Sequence, residues 1–265
     1  MSRSEFIPAT MNGTGFMGVL ARRLMPRPMR QWLWLKWKAI SCKPPAGLVR
    51  FGGLRRLTPI SRVFGLDRGT PVARYYIEQF LSAHASDIHG NVLEIGDDTY
   101  TRRFGGERVT HRDVLHVESS NPNATIVGDL TDAPHISSDK FDCIILTQTL
   151  DFIYDVRAAI TTLHRILQPG GVLLATTSGI SQISRYDMDR WGHYWNFTSL
   201  SARRLLEEVF SARHVQVTAH GNVLAAIAFL HGLSAQELRQ KELDYRDPDY
   251  ELVITIRAVK RNAEN

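Results

Sequence analysis

The sequence predicts a doubly wound α/β sheet of seven mostly parallel strands, preceded by an N-terminal helical extension. After residue 90, apolar runs of strand length alternate with helical segments, and the first five runs lack the polar alternation of half-exposed strands. A chain of 265 residues, 43% of them hydrophobic, is long enough to bury a sizeable core. We therefore place the extension at 1–70 and the α/β domain at 71–265.

The elements follow from the same pattern. Strands are predicted at 91–95, 114–117, 125–127, 142–146, 171–177, 215–219 and 252–259. A helix with a Thr70 cap and Pro71 in its first turn precedes the first strand, and "VRAAITTLHRILQPGG" is an amphipathic helix that stops at Pro and Gly. A helix, "NVLAAIAFLHGL", lies between the last two strands. Strand–helix–strand alternation favours right-handed crossovers and a parallel sheet.

Charge divides the chain unevenly. Residues 1–74 hold 14 Lys and Arg against two acids, Glu5 and Asp67, so their net charge is 14 − 2 = +12. The remainder holds 32 − 14 = 18 basic and 27 − 2 = 25 acidic residues, a net charge of −7, and the two parts sum to +5. The basic character therefore belongs to the N-terminal segment.

Three interpretations of the Trp-rich basic segment, "PRPMRQWLWLKWKAI", stay open. It packs on the acidic core or on a second subunit of a homodimer, or it makes peripheral contact with a membrane, or it binds nucleic acid. We favour packing, because the core has the opposite charge and the helical stripe of Met29, Leu33, Trp37 and Ile40 is broken. Nucleic-acid binding is not expected.

The location of the protein is predicted from three negative features. The sequence has no run of 18 apolar residues, no signal-peptide pattern, and only two cysteines, which lie far apart. Together these features predict a cytoplasmic protein.

Acidic residues stand at three successive strand ends, where ligands bind in open α/β sheets. The first strand runs into Gly96, Asp97 and Asp98, the second ends at Glu118, and the third at Asp129. A nicotinamide dinucleotide needs further glycines after Gly96, and two aspartates would repel its pyrophosphate. A cationic adenosyl ligand without phosphate has the opposite requirement.

The stretch 91–177 resembles the class I S-adenosylmethionine-dependent methyltransferases of the methyltransferase type 11 kind. "VLEIGDDTY", "LHVE", "VGDLTDAP" and "FDCIILTQTLDFIYD" stand at the first four motifs of that family, and "LHRILQPGGVLLATT" at its fifth-strand signature. The resemblance covers about two thirds of the chain. It implies a Rossmann-like fold and S-adenosyl-L-methionine as the cofactor. Asp98 and Tyr100 depart from the family by standing at glycine positions.

The same resemblance implies a set of cofactor contacts. Glu94, Gly96 and Asp97 would line the methionine moiety and Glu118 would hold the ribose. The remaining residues are Asp129 and Leu130 at the adenine, Thr147 and Gln148 beside the sulfonium, Phe152 near the adenine, and Tyr75 and Tyr76 on a helix that covers the cofactor.

The acceptor is expected to lie against "SGISQISRYDMDRWGHYWNFT", which leaves the end of the fifth strand. A hydroxyl acceptor needs a base, and His193 is the first candidate and Asp187 the second. No metal is expected, since Asp187 and Asp189 alone make an incomplete site.

These features predict O-methylation of a small-molecule or sugar-containing, glycan-type metabolite in a biosynthetic pathway. The sugar assignment comes from "FGGLRRLTPISRVFGLDRGTPVARYYIEQFL", which resembles enzymes of glycan and natural-product pathways. Methylation of an amine or a carboxylate, and a catalytically silent partner subunit of the same fold, stay open.

Overall fold

The structure, a computed structural model, describes residues 26, 28–29, 31–32, 36, 44–45 and 47–261. Most of the predicted stripe at Met29–Ile40 therefore lies outside the described residues. The chain divides into two compact units, Met1–Arg56 and Leu57–Asn265. In the first, Gly52–Leu54 form a short 3-10 turn and residues 48–51 are exposed.

The second unit is built on a seven-stranded sheet. Its strands are β1 (Gly90–Ile95), β2 (Val109–His116), β3 (Ile126–Val127), β4 (Phe141–Thr147), β5 (Leu167–Ser178), β6 (Val215–His220) and β7 (Val253–Val259). The strand order is β3-β2-β1-β4-β5-β7-β6. Neighbours from β3 to β5 are parallel, whereas β7 lies antiparallel between β5 and β6. The predicted doubly wound, mostly parallel sheet is confirmed.

Helices flank the sheet where the sequence predicts the longer ones. They are α1 (Val72–Ala83), α2 (Val156–Ile166), α3 (Arg185–Met188), α4 (Ser199–Glu207), α5 (Val223–Leu230) and α6 (Gln240–Asp244). Asp155 caps α2 and Asn222 caps α5, each accepting a backbone N–H three residues on. The predicted Thr70 cap of α1 is wrong: Pro71 is the N-cap residue, and the Thr70 hydroxyl accepts a hydrogen bond from Gln236.

Two apolar clusters lie on opposite faces of the sheet. Along β4, Ile144 and Leu146 belong to the cluster that includes α2 and α4, while Cys143 and Ile145 belong to the cluster that includes α1 and α5. Successive strand residues point to opposite faces, so both faces of β4 are buried. This is why its sequence shows no polar alternation.

The connection from β1 to β2 is short, running from Gly96 to Arg108. Among the described residues it contains a π-helical turn, Thr101–Gly105, and a 3-10 turn, Gly106–Arg108, in place of an α-helix. A side chain at Gly105 would meet Val109 Cγ2 at 2.4 Å, so the turn packs tightly on the start of β2. As a result β2 begins at Val109, five residues before the predicted start at 114.

Within the described part of the chain, no helix is both long and apolar enough to cross a membrane.

Candidate active site

A cleft of 580 Å³ opens at the carboxyl ends of the parallel strands. Its size is typical of small-molecule sites, and it lies where open α/β sheets bind ligands. The residues that line it are Ile95, Gly96, Leu115, His116, Val117, Gly128, Asp129, Leu130, Thr131, Gln148, Thr149, Phe152, Ile153, Tyr154, Asp155, Asp187, Trp191 and Tyr194. The cleft thus gathers the loops after β1 to β4 with the connection after β5.

Gly96 forms the floor of the cleft after β1. Its φ of +87° is a conformation that favours glycine, and a side chain built there would meet no atom within 4 Å. Asn121 Nδ2 donates to the Gly96 carbonyl at 2.6 Å and so ties this loop to the one after β2. Asp97 is exposed and accepts a hydrogen bond from the backbone of Thr99.

Glu94 is buried and points into the turn that follows rather than into the cleft. It accepts hydrogen bonds from the backbone N–H groups of Tyr100 and Thr101, at 3.1 and 2.7 Å, and from the Thr101 hydroxyl at 2.7 Å. Burial raises the pKa of Glu94 to about 7, although these hydrogen bonds act in the opposite direction. Glu94 therefore holds the π-helical turn in place.

The two residues at family glycine positions do not crowd the cleft. Asp98 pairs with Arg102 at 2.7 Å and with Arg112 at 3.5 Å. The Tyr100 ring stacks on Phe104, with centroids 6.1 Å apart, and packs against the apolar cluster of α1. Neither side chain lines the cleft, so the loop departs from the family pattern without filling the site.

Glu118 is exposed at the rim of the cleft, just after β2. Its carboxylate accepts hydrogen bonds from the Ser120 hydroxyl at 3.1 Å and from the Trp191 indole at 3.4 Å. The Trp191 ring also meets the His116 ring edge-on at 5.8 Å. Trp191, on the connection after β5, therefore reaches the carboxylate predicted to hold the ribose.

The end of β3 contributes two of the predicted adenine contacts. Leu130 is buried in the wall of the cleft, and Asp129 is exposed beside it with Oδ1 accepting the Thr131 N–H at 2.8 Å. A side chain at Gly128 would approach the His135 ring to 2.7 Å, so a larger residue there would require that ring to move.

The end of β4 is held by the end of β5. Gln148 has a φ of +48°, its backbone N–H donates to the Thr176 carbonyl at 2.8 Å, and Ser178 donates to its side-chain oxygen. Gln148 and Phe152 line the cleft, whereas the adjacent Thr147 does not.

Asp151, in the turn after β4, is a buried carboxyl that the sequence analysis missed. Its Oδ1 accepts the Ser178 N–H at 3.1 Å, and its Oδ2 has no hydrogen-bond partner among the described residues. Burial raises the pKa of Asp151 to about 7. Its backbone carbonyl accepts the N–H groups of Tyr194 and Trp195, so Asp151 joins the floor of the cleft to the connection after β5.

The two candidate bases differ in position. Asp187 lines the cleft and accepts a hydrogen bond from the Ser184 hydroxyl at 2.5 Å. His193 lies behind Phe152, with ring centroids 5.0 Å apart, and its Nδ1 accepts the Ser184 N–H at 3.3 Å. A neutral imidazole whose Nδ1 accepts carries its proton on Nε2, and this Nε2 is buried without a described partner.

Tyr75 and Tyr76 are not brought to the cleft. The Tyr76 hydroxyl is buried and donates to the Leu243 carbonyl at 2.9 Å, and the Tyr75 hydroxyl donates to Asp244 at 2.6 Å. Tyr75 lines a separate hollow of 270 Å³ beside Gln236. Both rings lie on α1 against the second apolar cluster, because that face of the helix covers the sheet.

The cleft is acidic. Asp129, Asp155 and Asp187 line it and Glu118 stands at its rim, whereas none of the described lining residues is Lys or Arg. Such a site repels pyrophosphate and attracts a cation. It fits a cofactor that carries a sulfonium and an ammonium.

Residues 64–222 match the family model described as a methyltransferase domain. The chain belongs to this methyltransferase family. Its cofactor is S-adenosylmethionine. No sequence among the curated proteins searched matches this methyltransferase.

Solved structures are similar to this chain. A putative sarcosine dimethylglycine methyltransferase from Galdieria sulphuraria is 13% identical, with 71% of this chain and 86% of that chain covered and a TM-score of 0.50. The N-methyltransferase NodS from Bradyrhizobium japonicum, solved with S-adenosylhomocysteine, is 18% identical, with 73% and 89% covered and a TM-score of 0.46. At 13% identity the similarity to the first of these structures shows the fold alone.

The lining residues that the sequence analysis did not name include three aromatic residues, Tyr154, Trp191 and Tyr194. Trp191 and Tyr194 lie within the stretch assigned to the acceptor, but sequence gave no reason to single them out. A signal existed for Tyr154, since it follows β4 closely, at a strand end where ligands bind.

Proposed function

We propose that the methyltransferase transfers a methyl group to a hydroxyl of a small-molecule or sugar-containing acceptor, with Asp187 as the base. The observation that carries the proposal is the position of Asp187, a carboxylate in the wall of the cleft on the connection after β5. It is the base candidate in contact with the space where an acceptor would sit, whereas His193 does not line the cleft and its Nδ1 accepts the Ser184 N–H.

For the cofactor we propose a reduced set of contacts. Glu118 would accept hydrogen bonds from the ribose hydroxyls, Asp129 and Leu130 would adjoin the adenine with Phe152, and Gly96, Asp97 and Gln148 would face the methionine end. Bound S-adenosylmethionine supplies an activated methyl group. The protein then aligns the acceptor, excludes water and removes a proton, which are the main contributions open to it.

The acceptor would lie between the loop after β4 and the connection after β5. Tyr154 packs edge-on against Tyr194, with centroids 5.3 Å apart, and stacks on Trp195 at 6.1 Å. All three rings are exposed, and Tyr154 and Tyr194 line the cleft. Exposed aromatic faces suit the apolar faces of a sugar or a planar acceptor.

A second candidate is methylation of an amine. Asp155 lines the cleft next to Tyr154, and a carboxylate beside aromatic rings also favours an ammonium group. The two candidates differ in the atom that receives the methyl group.

The test uses S-adenosylmethionine carrying a labelled methyl group and a panel of hydroxyl, amine and carboxylate acceptors, with product analysis by mass spectrometry and NMR. We expect the label on oxygen, and a label on nitrogen or a carboxylate would overturn the assignment. Asp187→Asn should lower kcat by roughly 100-fold with the Kd for S-adenosylhomocysteine unchanged. His193→Gln is the matched control and should retain kcat within about threefold, because His193 does not line the cleft and a glutamine amide oxygen can still accept a hydrogen bond from the Ser184 N–H.

Failure to bind S-adenosylhomocysteine at millimolar concentration, in protein shown to be folded, would instead support a catalytically silent subunit.

A further inference from the structure

Ser184 immediately precedes α3, at the position that normally caps a helix, and Asp187 follows three residues later. A serine and an acid at this spacing form a capping box in many helices. In that arrangement the serine hydroxyl accepts the backbone N–H of the acid, and the carboxylate of the acid accepts the backbone N–H of the serine. Both side chains are then occupied with the end of the helix.

Neither of these two bonds joins Ser184 and Asp187 in the part of the chain that the structure describes. The Ser184 hydroxyl makes no capping bond and instead donates to Asp187 Oδ2 at 2.5 Å. The Ser184 N–H donates to His193 Nδ1 at 3.3 Å. His193 therefore accepts the N–H group that the carboxylate of the acid accepts in a capping box.

A second pair with the same spacing shows the usual arrangement. Ser234 and Glu237 form a complete capping box at the 3-10 turn Ala235–Glu237, and the Ser234 N–H donates to Glu237 Oε2 at 2.8 Å. Neither residue of this second pair lines the cleft, whereas Asp187 does. Of the two pairs, the one that reaches the cleft is thus the one whose carboxylate does not bond to the backbone of its serine.

The arrangement at α3 holds one oxygen of Asp187 and leaves the other open. A hydroxyl that donates to a carboxylate at about 2.5–2.7 Å forms a short, charge-assisted hydrogen bond. Ser184 is only 7% exposed, so little water competes for its hydroxyl. Asp187 Oδ1 accepts no hydrogen bond from any described residue. A carboxylate held in this way needs little reorganisation before it removes a proton.

We propose that Ser184 is a positioning residue for Asp187. Its hydroxyl holds Asp187 Oδ2 so that Oδ1 faces the acceptor, and His193 in turn holds the backbone of Ser184. The inference rests on the proposed function, in which Asp187 is the base. It gives a role to two residues that do not themselves line the cleft.

The first test is kinetic and uses the hydroxyl acceptor of the panel that reacts fastest, with S-adenosylmethionine as the donor. Ser184→Ala should lower kcat about tenfold, while the KM for the acceptor and the Kd for S-adenosylhomocysteine stay within about twofold. Ser184→Thr keeps the hydroxyl and should retain kcat within about threefold. Ser234→Ala is the matched control, because it removes a serine hydroxyl from the same spacing outside the cleft. It should lower stability through loss of a cap and leave kcat within about twofold.

A double variant separates this inference from the assignment of Asp187 as the base. In an Asp187→Asn background, Ser184→Ala should lower kcat by less than about twofold, because Ser184 acts through the carboxylate. A further loss of about tenfold would overturn the positioning role and leave the base assignment intact, and so would a Ser184→Ala enzyme with the wild-type kcat. An Asp187→Asn enzyme with the wild-type kcat would instead overturn the base assignment itself.

The second test needs no acceptor. Crystal structures of the wild type and of Ser184→Ala, each with S-adenosylhomocysteine, should show a single Asp187 conformer in the wild type and a different or mixed conformation in the variant. An Asp187 side chain that keeps its wild-type position in Ser184→Ala would overturn the proposal. If no hydroxyl acceptor reacts, the proposed function fails, and this comparison alone decides whether Ser184 positions Asp187.

Discussion

Glu94 and Glu118 both stand near the carboxyl ends of adjacent parallel strands, yet their surroundings have little in common. Glu94 is 2% exposed and accepts three hydrogen bonds from its own loop. Glu118 is exposed and contacts only Ser120 and the distant Trp191 indole among the described side chains, apart from a backbone link to His116. The carboxylate of Glu94 is hydrogen-bonded by its own loop and stabilises that loop, whereas the exposed carboxylate of Glu118 at the rim of the cleft is available to a ligand.

The difference has a local cause. Parallel strands are usually connected through an α-helix, whereas the connection after β1 here contains a π-helical turn, whose first N–H groups need an acceptor. Glu94 supplies that acceptor from inside the strand. No such turn follows β2, so the carboxylate of Glu118 is not recruited by the backbone.

The largest expected effect is on stability, from Glu94→Ala. Removing the carboxylate leaves the N–H groups of Tyr100 and Thr101 and a buried hydroxyl without an acceptor, which should cost about 3 kcal/mol in the free energy of unfolding. Urea denaturation measures this. Glu118→Ala is the companion variant and should change the same quantity by less than about 0.5 kcal/mol. Equal losses in the two variants would contradict the comparison.

The next effect is on cofactor affinity. Here Glu118, whose removal should hardly change stability, is the residue expected to matter. Glu118→Ala should weaken binding of S-adenosylhomocysteine by about 2 kcal/mol, or roughly 30-fold, because a charge-assisted pair of hydrogen bonds to the ribose is lost. Isothermal calorimetry is the measurement. Glu107→Ala removes an exposed carboxylate beside the opposite end of β2 and should leave affinity unchanged. An unchanged affinity in Glu118→Ala would remove Glu118 from the site.

The pH dependence of stability should also report on the buried carboxyl. Burial raises the pKa of Glu94 from 4.5 to about 7, so between these values the unfolded chain ionises while the folded chain keeps its proton. Stability should therefore fall as pH rises through this window, by about 3 kcal/mol, and Glu94 should add no slope below or above it. Glu94→Gln should flatten that part of the curve.

Asp151 provides a check on this reading, because burial raises its pKa in the same direction. Asp151→Asn should remove a separate part of the slope, and the double variant should remove both. A Glu94→Gln curve with the wild-type slope would show that Glu94 does not hold its proton in the folded protein.

The smallest expected effect comes from Asp98→Ala. The Asp98 carboxylate is turned toward Arg102 and Arg112 and away from the cleft, so its loss should change unfolding by about 0.5 kcal/mol and affinity for S-adenosylhomocysteine by less than twofold. A large gain in affinity would mean that the aspartate does obstruct the cofactor. The same calorimetry decides this.

Periodicity and strand-end chemistry were sufficient to predict the sheet and the chemical character of the cleft. Doubly buried strands such as β4 have a continuous apolar pattern because neither face meets water, and this is visible in a single sequence. The end of β1 has one glycine followed by two aspartates, and their negative charge would repel a pyrophosphate. The resemblance to methyltransferases rested on these same stretches, and the family match confirms it.

The tertiary structure alone decided which strand-end residues face the cleft. The sequence analysis assigned Glu94, Gly96, Tyr75 and Tyr76 to the cofactor site, but of these four residues only Gly96 lines the cleft. The direction of a side chain depends on which backbone groups lack partners and which helix face covers the sheet. Both depend on how the elements pack. The N–H groups of the turn after β1 hydrogen-bond to Glu94, and the tyrosines of α1 pack in the second apolar cluster. The contact between Trp191 and Glu118 joins residues 73 positions apart, a separation that no local pattern encodes.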